Sequence, residues 1–187
     1  MSKYVNPCQV VTGPNTRWSY VNVWDPKSIN GGEPKYSISL IIPKTDTETI
    51  RKIKDAIRAA YEEGLNKLRG NSRTAPDLES LKLPLRDGDK ERKDDPNYAG
   101  CMFINANSKT PPDIVDAGMN HIIERSKVYS GVYGKASITL YAFNTNGNKG
   151  IACGLGNIQK IADGEPLGGK TNAKDDFSSL DDEDFLS

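Results

Sequence analysis

In Lys35-Tyr-Ser-Ile-Ser-Leu-Ile-Ile-Pro-Lys-Thr-Asp-Thr-Glu48 a strand gives way to a helix. Lys35 to Ile42 has strand character. Thr45-Asp46-Thr47-Glu48 then fits a capping box, and Ile50, Ile53, Ile57, Ala60 and Leu68 recur at helical spacing until Gly70. Arg51, Lys52, Lys54, Arg58, Lys67 and Arg69 lie mostly off that apolar stripe and read as a solvated face.

Upstream of this junction two more strands are expected, Gln9 to Thr12 and Arg17 to Trp24. Trp18, Tyr20, Asn22 and Trp24 alternate with Arg17, Ser19, Val21 and Val23, so a regular strand would carry three large rings on one face. Gly13-Pro14-Asn15 and Asn30-Gly31-Gly32 supply the turns of an antiparallel meander. Downstream, residues 71–100 lack apolar periodicity, and Lys82 to Asp95 balances five bases against five acids. That segment reads as an excursion from the core, a ribbon or flap. Strand character returns at Cys101 to Asn107, Gly131 to Phe143 and Gly150 to Ile161, with a hairpin turn at Asn146-Gly147.

Three strands, one main helix and then further strands is the order of a mainly β, α+β protein of the OB-fold type, a Greek-key barrel whose helix joins the third strand to the fourth. An antiparallel α+β sandwich gives much the same string. The expected domain is residues 1–170, with 71–100 as a charged insertion and 171–187 as a flexible acidic tail.

Composition narrows the function. The chain has 187 residues, 36% hydrophobic and 27% charged, with mean hydropathy −0.61, which fits one polar, foldable core. No apolar run approaches the ~18 residues of a membrane helix, and the first residues lack the apolar stretch of a secretion signal. A soluble protein of the host-cell cytoplasm is expected. Cys8, Cys101 and Cys153 have no paired spacing and read as reduced, mostly buried thiols, not as a metal site with His121. The zero net charge hides a division: residues 175–187 hold six acids and no base, leaving 25 bases and 19 acids in the remainder. An acidic segment that ends on Phe185 and Leu186 has the composition of a peptide ligand.

Gly164-Glu-Pro-Leu-Gly-Gly-Lys-Thr171 satisfies the phosphate-loop formula, but it is followed only by the acidic segment, with no helix or further sheet to complete the site. Asp87, Asp89 and Glu91 are interleaved with Arg86, Lys90 and Arg92 and read as a solvated loop in preference to a nuclease-like metal cluster. No acid–base constellation is evident, so neither catalysis nor a cofactor or metal is expected.

What remains is a set of rings interleaved with bases and amides on strands: Arg17, Trp18, Tyr20, Trp24, Lys35, Tyr36, Phe103, Asn105, Asn107, Lys109, Tyr129, Tyr133, Lys135, Tyr141 and Lys149. Single-stranded nucleic acid calls for this mixture, because bases stack on rings while phosphates are met by cations. Trp18, Tyr20, Trp24, Tyr36, Phe103 and Tyr133 are the candidate stacking platforms.

Longer stretches carry a resemblance: Asn22 to Tyr36, Leu40-Ile-Ile-Pro-Lys44, Tyr98-Ala-Gly100 with Phe103 to Lys109, Val128-Tyr-Ser-Gly131 with Tyr133-Gly-Lys-Ala-Ser137, and Asn148 to Gly154. Together they span nearly all of the body, and in combination they resemble the bacteriophage single-stranded-DNA-binding proteins of OB fold. The resemblance implies sequence-tolerant ssDNA binding in phage replication or recombination, without catalysis. It also implies that Asp181, Asp182, Glu183, Asp184 and Phe185 form the acidic, aromatic-tipped ending by which such proteins recruit replication or recombination proteins. The competing classes are a protein-binding adaptor with a peptide groove and a nucleotide-dependent enzyme using Gly164 to Thr171; monomer and homo-oligomer both stay open.

Overall fold

The computed structural model describes residues 6–28 and 31–167. The acidic segment, including Asp181 to Phe185, and the last residues of the phosphate-loop match lie outside the described residues. In chain order the elements are β1 (Gln9–Val11), β2 (Arg17–Lys27), β3 (Lys35–Pro43), α1 (Thr47–Glu63), α2 (Leu65–Arg69), β4 (Leu85–Asp87), α3 (Gly88–Glu91), β5 (Cys101–Ser108), β6 (Ile114–Val115), β7 (Tyr133–Thr145) and β8 (Asn148–Ala162).

Five strands close on themselves. β2 pairs with β3, β3 with β5, β5 in parallel with β8, β8 with β7, and β7 returns to β2 through Arg17 opposite Tyr133. Backbone bonds from Trp18 to Val132 (2.8 Å), Gly131 to Trp18 (2.7 Å) and Gly134 to Thr16 (2.9 Å) hold this last seam. The closure gives an OB-type barrel and excludes the sandwich. The helix joins the second ring strand to the third, not the third to the fourth, because β1 stands outside the ring and pairs only with β7.

The apolar residues of the helix explain its place. Ile53, Ala56, Ile57 and Ala60 are buried on one face of α1, which packs on β7 and β1. Its cap is Asp46, one residue later than the capping-box reading; the Asp46 carboxylate accepts from the Thr49 backbone N–H (3.2 Å) and hydroxyl (2.7 Å). Gly64 breaks the helix where it meets β7: a Cβ there would stand 2.3 Å from that of Ala142. Trp18, Ile38, Leu40, Ile104, Ile138 and Leu140 fill the barrel. At the β7–β8 turn Asn146 and Gly147 both take positive φ, 52° and 84°, as a type I′ hairpin requires.

Two expectations fail here. β2 is not a regular strand: Ser19 faces Ser39 while Asn22 faces Ser37, so it holds one extra residue, and Tyr20 absorbs the bulge at φ 46°. Trp18 consequently points into the barrel while Tyr20 points out, and the shared face of three rings does not form. Nor does the 85–98 part of the 71–100 insertion leave the core. β4 pairs with β5 from Leu85 opposite Ile104 to Asp87 opposite Met102, and Tyr98 is buried edge-on against Phe103, with ring centroids 5.1 Å apart at 82°. Lys44 ties the segment down through Asp87 (2.9 Å) and Asp89 (2.7 Å).

Cys8 and Cys153 are buried and Cys101 half-buried, all free; burial pushes the Cys153 thiol up to about 12. No helix among the described residues is long and apolar enough to cross a membrane.

Candidate nucleic-acid interface

Strand alternation sorts β3 into two sides. Ile38, Leu40 and Ile42 enter the barrel, while Lys35, Ser37, Ser39 and Ile41 lie on its outer surface. Register then extends each outward residue across the sheet. Ile41 meets Phe103, Ser39 meets Asn105, Ser37 meets Asn107 and Asn22, and Lys35 meets Lys27. The outer face is thus graded along the strands from apolar, through hydroxyl and amide, to cationic.

The insertion covers the apolar end. Ile41, Phe103 and Tyr98 form a second small core, with Cys101 and Leu167 packed against it, and the Tyr98 hydroxyl lies 3.2 Å from the Ser39 hydroxyl at its edge. Beyond that edge the face is open: a groove of about 610 Å³ runs over Ser37, Ser39, Asn22, Asn105 and Asn107, with the edges of Ile38 and Ala106 beneath. Tyr20, Lys27, Gly32, Glu33, Lys35 and Arg92 wall it. Tyr20 is 58% exposed, and its left-handed backbone, rare for a bulky residue, holds the ring out over the groove. The Arg92 guanidinium stands 6.0 Å from the Tyr20 ring, 5.6 Å from Tyr98 and 5.4 Å from Phe103.

Chemically the groove is cationic with an adaptable floor. Lys27, Lys35 and Arg92 pair with no acid among the described residues, and Glu33, the acid of the wall, pairs with Lys109 (3.5 Å). Hydroxyls and side-chain amides each donate and accept, so this floor can meet polar edges of varied pattern.

The family described as the ssDNA-binding protein of Enterobacter phage Enc34 matches residues 8–186. The chain belongs to this family. Protein p50 of Acyrthosiphon pisum secondary endosymbiont phage 1 is 28% identical over 184 residues, covering 92% of this chain and 96% of p50. The structure of the single-stranded DNA-binding protein from bacteriophage Enc34, solved in complex with ssDNA, superposes with TM-score 0.71 at 27% identity, over 89% of this chain and 97% of that one. The gp2.5 single-stranded DNA-binding protein of bacteriophage T7 matches with TM-score 0.57 at 14% identity, over 91% and 93% of the two chains, a likeness of fold alone.

Within this family member the groove gathers Tyr20, Lys35, Asn105 and Asn107 of the expected site residues, with Lys109 beside it through Glu33. Trp18 and Phe103 are corrections: both are fully buried, Trp18 inside the barrel with its indole N–H donating to the Gly134 carbonyl (3.2 Å) and Phe103 beneath Tyr98, so neither ring has a face for a base. Trp24 is half-buried against the main core beside Val128 and Arg125. Tyr36 lies on the inward-alternating side of β3, away from Lys35.

A second group is engaged in holding residues 163–167. Arg17 lies over the Tyr133 ring (5.2 Å) and donates to the carbonyls of Gly131 (3.1 Å) and Glu165 (2.7 Å). The Tyr129 hydroxyl, with one hydrogen to give, lies within hydrogen-bond reach of both Asp163 (3.1 Å) and the Gly164 carbonyl (2.9 Å). Burial, with Asp163 adding to it, raises the Tyr129 pKa, while Lys160 and Tyr129 hold Asp163 below the ordinary carboxylate value. Gly164 packs too tightly on Gly131 and Tyr133 to admit a side chain, and no helix follows it among the described residues. Lys135 faces a different concavity by the start of α1, and Tyr141 and Lys149 lie on β7 and β8 outside the groove.

Sequence reasoning missed Lys27, Asn22, Ser37, Ser39 and Arg92. Ser37 and Ser39 share the period of Lys35, and Lys27 pairs with Lys35 across β2 and β3, so those were within reach. Asn22 was displaced by the bulge, and Arg92 sits among balanced charges with no periodicity to mark it.

Proposed function

We propose that this protein binds single-stranded DNA with little regard to sequence, along the groove on the outer face of β2, β3 and β5, and acts in phage DNA replication or recombination within the host-cell cytoplasm. The observation that carries the reading is the combination of an exposed Tyr20 with Lys27 and Lys35, unpaired among the described residues, over a floor of amides and hydroxyls. Tyr20 stacks on a base, the lysines take backbone phosphates, and Asn22, Ser37, Asn105 and Asn107 meet base edges without fixing which base. The work is binding and not catalysis, and it calls for no cofactor. Membership of the family and the ssDNA complex of the Enc34 protein support the assignment.

In the same reading residues 1–170 are the binding domain and 171–187 the acidic tail. The tail competes with DNA for the cationic groove and, once displaced, offers Asp181 to Phe185 to replication or recombination proteins. Its charge supports this, as does the position of Leu167, which packs against Phe103 and Tyr98 at the end of the face that carries the groove.

The test is anisotropy of labelled oligo(dT) against the full chain and a chain lacking 175–187, at two salt concentrations, with matched duplex as control. Salt-sensitive binding of the single strand, weak binding of duplex, and tighter binding after truncation are expected. Absence of oligo(dT) binding by both chains at low salt overturns the reading and leaves the peptide-binding adaptor.

A further inference from the structure

Arg92 belongs to the insertion, yet its guanidinium reaches the groove. Among its neighbours there, Asp87 and Asp89 share Lys44, and Arg86 faces Glu91 (3.9 Å). Arg92 is half-buried, faces three rings and pairs with no acid among the described residues. A guanidinium held over rings keeps its in-plane N–H donors free, and that fork fits phosphate oxygens. Its place in the groove adds to this. Lys27 and Lys35 mark one end of the graded face, and Arg92, over Phe103, marks the other. From Lys35 to Ser39, where the floor meets the apolar end, is about 13 Å of strand.

We propose that Arg92 is a phosphate-binding residue for the single strand, so that the insertion forms the second wall of the interface and the DNA backbone is held at both ends of the amide floor. This rests on the ssDNA reading above. The Tyr98–Phe103 core and the Lys44 ion pairs then have a functional consequence: they fix the position from which Arg92 reaches the strand.

The experiment is oligo(dT) anisotropy across a salt series for the full chain and for Arg92→Gln, Arg92→Lys and Arg92→Met, with thermal melting of each. Arg92→Gln is expected to weaken binding about tenfold at low salt and to lower the slope of log K against log salt by about 0.7, the share of one phosphate on a single strand. Arg92→Lys keeps the slope. Arg92→Met, whose stem still packs on the rings, behaves as Arg92→Gln and serves if that variant does not fold. If the unaltered chain binds with a salt-dependent slope and the folded neutral variants share it, or lose affinity with the slope unchanged, the Arg92 proposal is overturned alone. If the unaltered chain binds no oligo(dT), the groove reading falls and takes this proposal with it.

Discussion

The two ends of one sheet face differ more than the strands that build them. At Ile41 and Phe103 the outer surface of β3 and β5 is dry and covered; two residues along each strand, at Ser39 and Asn105, it becomes polar, and at Ser37 and Asn107 it is an open groove. Backbone pairing is unbroken across the change. Side-chain choice at alternate positions therefore divides the face, and the insertion docks only where apolar rings give it something to bury.

Shortening Phe103 and Asn105 in turn contrasts the two ends most strongly. Phe103→Ala should cost roughly 3–5 kcal/mol of stability in chemical denaturation, with the insertion released. Asn105→Ala should stay within about 0.5 kcal/mol while weakening oligo(dT) binding. Equal stability losses would erase the distinction between a covered and a binding end.

Tyr20 comes next. Its ring is exposed and its backbone is in the left-handed region, so Tyr20→Ala should lower affinity by ~1–3 kcal/mol, the range for one base–ring stack, with no comparable fall in denaturation midpoint. A stability loss with unchanged affinity would place Tyr20 with the structural rings.

Lys27 and Lys35 face each other across the β2–β3 pair, where like charges oppose pairing. Replacing either by Gln should reduce the salt slope of binding by about 0.7 and leave the melting temperature level or slightly higher. A drop in melting temperature would mean that the lysines support the hairpin instead.

The smallest effect concerns the ion pairs that tie down the insertion. The Lys44 ammonium, through its hydrogen bonds, holds Asp87 and Asp89 below the ordinary carboxylate value of 3.8, and they in turn raise Lys44 above 10.5, Asp89 first. Depressed carboxylates stabilise the docked insertion fully above 3.8 and lose that contribution as pH falls through their lower folded values. The raised lysine contributes fully below 10.5 and loses its share above its folded value. Hydrogen exchange in 85–100 should be flat with pH between these limits, after correction for the intrinsic rate, and rise on the acid side. Asp87→Asn with Asp89→Asn should remove that acid rise.

Much of the barrel was legible from strand character, the helical stripe and the Asn146-Gly147 turn, because those signals are local. What escaped is non-local. One extra residue between Ser19 and Asn22 reverses which side of β2 each ring takes, so Trp18 and Tyr20, alike in sequence pattern, end in opposite environments. Phe103 has the alternation of an outward residue, as Asn105 and Asn107 do, and it is buried because Tyr98 and Leu167 return over it. The charge balance of Lys82 to Asp95 concealed both the ion pairs with Lys44 and Arg92, the cation of that segment that enters the groove. Charge and ring content pointed to a nucleic-acid ligand, and which of those residues share one groove depended on a bulge and an insertion.

In the proposed complex the strand lies against Tyr20 and not against the tyrosines that hold residues 163–167. Photo-cross-linking of an oligo(dT) substituted with 5-iodouracil, followed by mass-spectrometric mapping of the adduct, tests it directly. The predicted result is a principal adduct on Tyr20, lost with excess unlabelled oligo(dT) and reduced by salt. Adducts on Tyr129, Tyr133 or Tyr141 with Tyr20 unmodified would contradict it and move the interface to another side of the barrel.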